Sequence, residues 1–521
     1  MIRKILFLFS IQSILFANAV VGQNTFQKSF RGSAYSYLFG GVNTFDEKMI
    51  LVGNVDTSHF FHGNLNLIKI DQYGDILWSK EYILNAFDGF YSAAELKNHD
   101  LAATGLYYSD GIDLSMLYIR TDQHGNLITA SRMKLPVPEY SEGSDVTFAD
   151  DGSALVVGSY SQGGGNYKLY VVKIDIHGNK EWSATYDGAN DWDAVNLSSS
   201  IFHATDGGFI MSSQSFTGGI YRNLLVVKIN GIGDVEWSKI STDINALYVT
   251  NIVETTTGDF AIGFGSGDSI HLIKFDHSGN LSFEKIIPDS MIYPLSISAT
   301  QDGGLLLNYW SYFNMEYIPA IVKLDSALIV EQGLTLKDTI HADISGTIHS
   351  PDGGYVLYGK IYRGFTHEYF DDYIVKTGSN VNASCPLETF NVIIENSTVA
   401  FVNYAIKKNT VSDLAVPVSL PTENEGKTVS TFCSSGSVPI PEWQVSPNPS
   451  NGEFQITGPF NSNATVIIYN MLGQIIFEQK YSPEPFSFSV RVKLGQENLG
   501  VYIVQVNSDS DYFRKKIFIG F

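Results

Sequence analysis

The residues of this chain that could do chemistry are few and scattered. Asp187, Asp191 and Asp193 form one acidic group, and Asp371 and Asp372 form another. Paired carboxylates serve glycoside cleavage only at a defined separation, which spacing alone does not supply. His59 and His62 flank two phenylalanines and make a thin metal candidate, explained as well by neighbouring strand or loop positions. His124, His177 and His277 fall in recurring turns, where a structural role is expected. There is no nucleophile elbow and no phosphate-binding glycine loop. No catalytic set, metal site or cofactor is therefore expected. The remaining candidates are aromatic: Tyr108, Tyr160, Trp310, Tyr312 and Tyr362, each in a long irregular stretch with polar neighbours. Rings beside polar groups suit sugar faces or protein surfaces. The same rings could equally pack on one another.

Two motifs place these stretches. An apolar-Lys-apolar-Asp-x-x-Gly-Asn/Asp unit stands at Ile68–Asp75 and returns at Val172–Asn179 and Ile273–Asn280. Its basic residue recurs as Lys69, Arg120, Lys173, Lys228, Lys274, Lys323 and Lys376, at intervals of 46 to 55 residues. The last two copies lack the downstream glycine. Before each copy stands an Asp-Gly-Gly turn, clear at Asp206, Asp302 and Asp352 and looser at Asp46, Asp100, Asp151 and Asp259. Each repeat holds four short alternating runs and no helical pattern; in the third they lie near 168–175, 179–186, 194–203 and 208–213. Four antiparallel strands repeated radially make a propeller blade, and a ring removes long open edges. The predicted fold is all-β: a seven-bladed β-propeller over 23–378, then a short disulfide-containing β-rich segment, then a C-terminal immunoglobulin-like sandwich. The seventh copy ends at Gly378 without an outer strand. Thr25–Phe30 is a spare one, with Phe26 aligned to Trp78, so the N-terminus is expected to close the ring.

In such blades the glycine turns share one face and the long aromatic loops share the other. The glycines permit positive φ, and the Asp and Asn side chains bond nearby backbone. Ligand contact is expected on the aromatic face, because loops on a rigid scaffold carry recognition.

The ends define the address. Arg3 and Lys4, the apolar stretch Ile5–Phe16 and small residues at Ala17-Asn18-Ala19 or Val20-Val21-Gly22 read as a signal peptide over 1–22. Its removal leaves 31 basic residues against 54 acidic ones, a net charge of −23. That charge excludes nucleic acid and anionic membranes as partners. No later run is apolar enough for membrane insertion. Cys385 and Cys433 are the two cysteines, and an oxidising compartment predicts one disulfide between them.

Residues 379–442 contain both cysteines and read as a β-rich connector ending in a Ser/Gly/Pro linker at Ser434–Pro441. Beyond it come Pro447-Asn448-Pro449 with Gly452, Phe454 and Ile456, then Val466–Asn470 with Gly473-Gln474. Leu499–Val506, including Gly500 and Tyr502, and a basic end at Lys515-Lys516 complete the series. The segment 443–521 resembles the type A C-terminal sorting domain of the type IX secretion system. The resemblance implies passage across the outer membrane of a Gram-negative bacterium. It implies the secretion machinery and its C-terminal-domain peptidase as partners, and a mature protein released or held at the cell surface. The repeats themselves resemble quinoprotein-like and WD40-like propellers through Ile70-Asp71, Gly74 and Trp78, repeated around Trp182 and Trp237. The quinone cofactor of the quinoprotein enzymes is not implied, because this chain has no adjacent cysteines and seven repeats. The expected function is a surface binding or adhesion module for glycans or proteins. The alternative is a secreted glycan- or peptide-degrading enzyme using the same face.

Overall fold

The computed structural model describes residues 25–519 apart from connecting segments, among them 57–62, 110–112, 135–139, 162–166, 189–198, 364–368, 382–386, 435–443 and 447–451. Residues 1–22, read as a signal peptide, and His59, His62, Asp191, Asp193, Cys385 and Pro447-Asn448-Pro449 lie outside the described residues. All assigned elements are strands.

Seven antiparallel sheets of propeller type repeat along the chain. The first sheet holds Tyr35–Asn43, Met49–Asp56, Gly63–Ile70 and Ile76–Tyr82, in that order from inner to outer edge. The other sheets repeat the plan, and the third uses Tyr140–Phe148, Ala154–Ser161, Tyr167–Ile174 and Lys180–Asp187. The seventh has only Ala342–His349, Tyr355–Arg363 and Tyr369–Thr377 from its own stretch. Its fourth place is taken by Phe26–Arg31, with Phe26 opposite Lys376 and Phe30 opposite Asp372.

The core is divided into seven apolar clusters, each shared by two neighbouring sheets. Leu67 and Leu117 belong to the cluster between sheets 1 and 2, and Tyr118 and Val172 to the one between 2 and 3. The pattern continues around to the cluster joining sheets 7 and 1, which contains Phe26, Phe30, Ile68 and Ile374. Residues alternate along each strand, so each sheet feeds one cluster from each face. The sheets contact their neighbours in the same cyclic order, including Ala342–His349 against Tyr35–Asn43.

The two recurring sequence motifs meet in space. Lys69 pairs with Asp46, Lys173 with Asp151, Lys228 with Asp206, Lys323 with Asp302 and Lys376 with Asp352. Arg120 reaches Asp100, two positions later in its turn, at 2.5 Å. In the fifth sheet Thr257 stands where the others have this aspartate, and Lys274 donates to the Ser326 carbonyl at 2.9 Å instead. Burial lowers the Lys274 pKa there. Burial alone would raise Asp302, but Lys323 and Thr300 outweigh it and hold the carboxyl at about 2.

The second turn is closed by its own aspartate. Asp71 accepts from the backbone N–H of Tyr73 and Asp75, and Asp122, Asp175 and Asp276 repeat this. The turn glycine adopts positive φ, as at Gly125 and Gly279, and leaves a hollow for the outer ring of the preceding sheet. A Cβ on Gly125 would fall 2.9 Å from Trp78, and one on Gly279 would fall 2.7 Å from Trp237. Thr129 takes the ring's place on Gly178.

The expected boundary at 378 does not isolate the segment after it. Short strands at Leu387–Thr389, Glu395–Asn396, Ala400–Asn403, Lys407–Thr410, Leu414–Pro417, Thr422–Asn424 and Thr428–Ser434 add an outermost strand to sheets 6, 5, 4, 3, 2, 1 and 7 in turn. The segment is a belt that runs around the ring against the direction of the repeats. Strands this short leave no pattern in the sequence, because each is completed by an edge from elsewhere in the chain.

Beyond the belt, Gln444–Ser446, Glu453–Gly458 and Phe488–Lys493 form one sheet. Ala464–Asn470, Ile475–Tyr481, Gly500–Ser508 and Tyr512–Ile519 form another. Phe454, Ile456 and Val492 from the first and Val466, Val504 and Ile517 from the second share one core.

Candidate functional site

The inner strands surround a cavity of about 950 Å³. Its wall comes from all seven sheets, through residues such as Asn54, Ser92, Thr147, Ser200, Asn251, Ser296 and Thr347. Hydroxyl and amide groups stand among the apolar residues of this wall because the inner strands bond to their neighbours across the ring. Asn251 does so twice, donating to the Ile297 carbonyl and accepting from the Ile297 N–H, both at 2.9 Å.

Asp145 is the carboxylate of this wall with the densest set of donors. Ser92 from sheet 2 donates to Oδ1 at 2.6 Å, and Ser200 from sheet 4 to Oδ2 at 2.8 Å. The N–H groups of Val146 and Ile201 complete the set at 2.9 and 3.0 Å. Burial still raises its pKa, although these donors oppose the shift. With four donors already engaged, Asp145 joins three sheets and has little capacity left for acid–base work.

At the long-loop end the cavity opens between aromatic rings. Tyr37, Phe39 and Tyr91 line it. Tyr37 meets Phe39 edge-on at 4.6 Å, and Phe39 meets Tyr91 at 6.1 Å. The rings continue outward through Phe370, 5.4 Å from Tyr37, to Tyr362 at 6.2 Å from Phe370. Phe39 is 39% exposed. At the glycine-turn end another ring, Phe45, is also exposed, with His99 at 5.6 Å and Phe148 at 6.5 Å.

The sequence candidates fall unevenly on this picture. Tyr362 joins the long-loop arc; its hydroxyl donates to Asp343 at 2.7 Å, and Lys360 sits 5.0 Å from its ring centre. Trp310 is half-buried on Leu305–Phe313, opposite Pro319. Tyr160 is not at a loop tip: it is 6% exposed, inside strand Ala154–Ser161, with its ring 5.7 Å from the fully buried Tyr170. Alternation along the strand sends it into the core. Tyr108 and Tyr312 lie on the corresponding second strands, and their side chains lie outside the described residues. Sequence reasoning missed Tyr37, Phe39 and Tyr91. Their signal was aromatic spacing near the start of the first strands, which period-2 alternation disguises as core.

The described acidic candidates, Asp187, Asp371 and Asp372, do not line the cavity. Asp187 lies at the ring's outer edge and accepts from Asn409 of the belt at 2.8 Å. Asp371 is buried against Arg31 at 3.2 Å. Asp372 is fully buried and pairs with Lys427 at 2.8 Å. Burial pushes its carboxyl up to about 6, outweighing Lys427. Among the described residues, no three His, Cys, Asp or Glu side chains come together as a metal site. No described helix is long and apolar enough to cross a membrane.

The C-terminal residues have a different geometry. Gly452 and Gly473 adopt positive φ, and Asn470 accepts from the Gln474 N–H at 2.9 Å to close its turn. Tyr502 is buried in the shared core, whereas Lys515 and Lys516 are exposed on the last strand. Residues 444–520 match the family described as secretion system C-terminal sorting domain. This segment is a type IX secretion sorting domain. The sorting domain directs secretion of the chain that carries it. Its glycines and asparagine shape turns, and its apolar residues close the sandwich, so most of the motif is fold chemistry.

No curated protein matches the chain. A solved structure of a Dyadobacter fermentans protein of unknown function is 11% identical, over 68% of this chain and 100% of that one, with a TM-score of 0.41. A Lactobacillus plantarum protein is 13% identical, over 71% and 99%, with a TM-score of 0.40. A puromycin hydrolase is 8% identical, over 83% and 60%, with a TM-score of 0.42. Likenesses of this size carry no statement about activity.

Proposed function

We propose that the exported body is a seven-bladed β-propeller acting as a surface binding module, and that its ligand, a glycan or protein, docks at the long-loop mouth of the central cavity. The type IX sorting domain, read as an immunoglobulin-like sandwich, delivers it. One observation carries the binding reading: the Tyr37–Phe39–Tyr91 rings stand half-exposed around an opening whose wall mixes hydroxyls and amides with apolar groups. Aromatic faces beside polar groups fit sugar rings and protein hot spots alike. The rings of the turn end are less suited. His203 on Phe209 and His349 on Tyr355 repeat one pairing, the end of an inner strand opposite the start of the next, as a fold requirement would. The arc at the long-loop mouth is not repeated.

The carboxylates support binding over cleavage. Asp145 is held by four donors, and Glu142 is held by Tyr140 and by Ser159 at 3.1 Å. Screening the purified protein on an array of neutral and charged glycans, with extracellular proteins in parallel, tests the proposal. Binding that is lost in Phe39→Ala and kept in Phe45→Ala supports it. Binding that survives Phe39→Ala and fails in Phe45→Ala places the ligand at the opposite end and overturns it.

A further inference from the structure

The belt has a period of seven residues. Val392, Val399, Ile406, Asp413, Leu420 and Lys427 stand one after another at that interval. A parallel series is Tyr404, Val411, Val418 and Glu425. The spacing is physical, since seven extended residues span about 23 Å, enough to step from one outer sheet edge to the next. The second series makes the register explicit. The N–H groups of Tyr404, Val411, Val418 and Glu425 donate to the carbonyls of Ser238, Ser183, Ala130 and Ser79, at 2.9 to 3.1 Å. These acceptors are equivalent positions on the outer strands of sheets 4, 3, 2 and 1.

The first series supplies one residue to each of six junctions between sheets. Val392 packs between sheets 5 and 6, Val399 between 4 and 5, Ile406 between 3 and 4, and Leu420 between 1 and 2. Two places break the apolar rule. Asp413 enters at sheet 3 with a fully buried side chain; Lys180 lies 2.6 Å from Oδ1, Tyr170 donates to Oδ2 at 2.6 Å, and Ser183 also donates. Lys427 enters at the junction that closes the ring. It is fully buried between Asp372 at 2.8 Å and Glu425 at 3.0 Å.

A periodic belt on a periodic ring has an ambiguity. Away from the two charged places, sliding by seven residues sets an apolar residue of the first series in another apolar socket and restores similar backbone bonds. Repeating patterns leave register weakly specified unless something breaks the symmetry. A slip would bring Leu420 or Ile406 onto Lys180 and Tyr170, stranding their polar groups. It would also carry Lys427 away from Asp372. Unpartnered buried charge is costly, whereas a satisfied buried pair adds little net stability, so such pairs act chiefly against wrong arrangements. We propose that residues 387–434 form a clasp belonging to the propeller unit, whose register around the ring is set by two buried charges, Asp413 and Lys427. Because Thr428–Ser434 pairs with Phe26–Arg31, correct register also holds the N-terminal strand in its closing place.

Disulfide trapping in the full-length protein tests this. Ser183 and Val411 face each other in the present register, so Ser183→Cys with Val411→Cys cross-links, as read by peptide mass spectrometry. Ser183→Cys paired with Tyr404→Cys or Val418→Cys does not. In Asp413→Leu/Lys427→Leu, which makes the first series uniformly apolar, the 404 and 418 pairs are expected to cross-link to an extent comparable with the 411 pair. Exclusive cross-linking at 411 in that background overturns the proposal. The milder Asp413→Asn/Lys427→Met guards against simple misfolding, and it is expected to fold and show the same mixture. If it too fails to fold, the two charges supply bulk stability and not register, and the proposal falls.

Discussion

Phe26 occupies the space that a side chain on Gly74 would need: a Cβ there would lie 2.4 Å from the Phe26 Cζ. The same relation joins Trp78 to Gly125, Trp182 to Gly233 and Trp237 to Gly279. The N-terminal strand therefore closes the ring with the joint used between other sheets. Lys28 adds an ion pair to Asp75 at 2.6 Å beside it. Phe26→Ala is expected to cost about 3–5 kcal/mol, as for a buried phenylalanine. Gly74→Ala is expected to destabilise as well, because it combines φ of 73° with the clash. Urea denaturation of the purified protein checks both, and a shift in either midpoint no larger than for an exposed control would contradict the joint.

The buried basic residues make an asymmetric prediction. Lys228 is enclosed while its partners Asp206 and Glu236 are half-exposed. Asp206→Asn leaves a buried ammonium with one partner fewer and is expected to cost about 1–3 kcal/mol. Lys228→Met leaves only solvated carboxylates and is expected to cost less. In the fifth sheet Thr257→Asp would give Lys274 the partner that the other sheets have, and a gain of about 1 kcal/mol is expected. Equilibrium unfolding of the three variants measures the ordering.

Acid is expected to loosen the ring near its fifth sheet. His271 is buried against Phe264, with their rings stacked at 4.9 Å, and accepts or donates to Ser266 and to Ser397 of the belt. Burial lowers its pKa to about 4. A folded value below the unfolded one means that the contribution is present above about pH 6.5 and is lost as pH falls toward 4. The full span amounts to about 3 kcal/mol at most. Asp372 runs the other way: its value of about 6 lies above the ordinary 3.8, so its contribution is full below the latter and lost as pH rises through 6. Unfolding midpoints from pH 4 to 8 should therefore lose their acid-side slope in His271→Phe and their slope near pH 6 in Asp372→Asn. Unchanged profiles would refute both assignments.

Tyr160 and Phe39 should separate folding from binding. Tyr160→Ala opens the cluster around Tyr170 and is expected to cost about 3 kcal/mol or more. Phe39→Ala removes a half-exposed ring and is expected to leave the unfolding midpoint nearly unchanged while weakening ligand binding by more than about 1 kcal/mol, as hot spots do. Calorimetry and binding titrations on the same samples decide this.

Deletion of 443–521 is expected to leave a folded propeller in the periplasm. Among the described residues, the body's core clusters and the belt strands up to Ser434 draw nothing from the sorting domain's core. Fractionation and protease resistance of the retained protein test address and folding separately.

The sequence alone determined the local grammar of this protein. Lys69 and Asp46 recur as motifs because each sheet needs the same turn and the same enclosed cation. Asp71 and Gly74 mark turns through their own backbone chemistry, and Gly452, Gly473 and the Val466–Asn470 run mark the sorting domain. Those signals lie within a few residues of one another. Only the tertiary structure decided what distant segments do together. It set Phe26 on Gly74, placed Tyr160 in the core and Phe39 at the mouth, and drew Asp372 away from the cavity to meet Lys427. The belt shows the reason most plainly. Its strands are two to seven residues long, too short to announce themselves, and each gains its hydrogen bonds from an edge formed elsewhere in the chain.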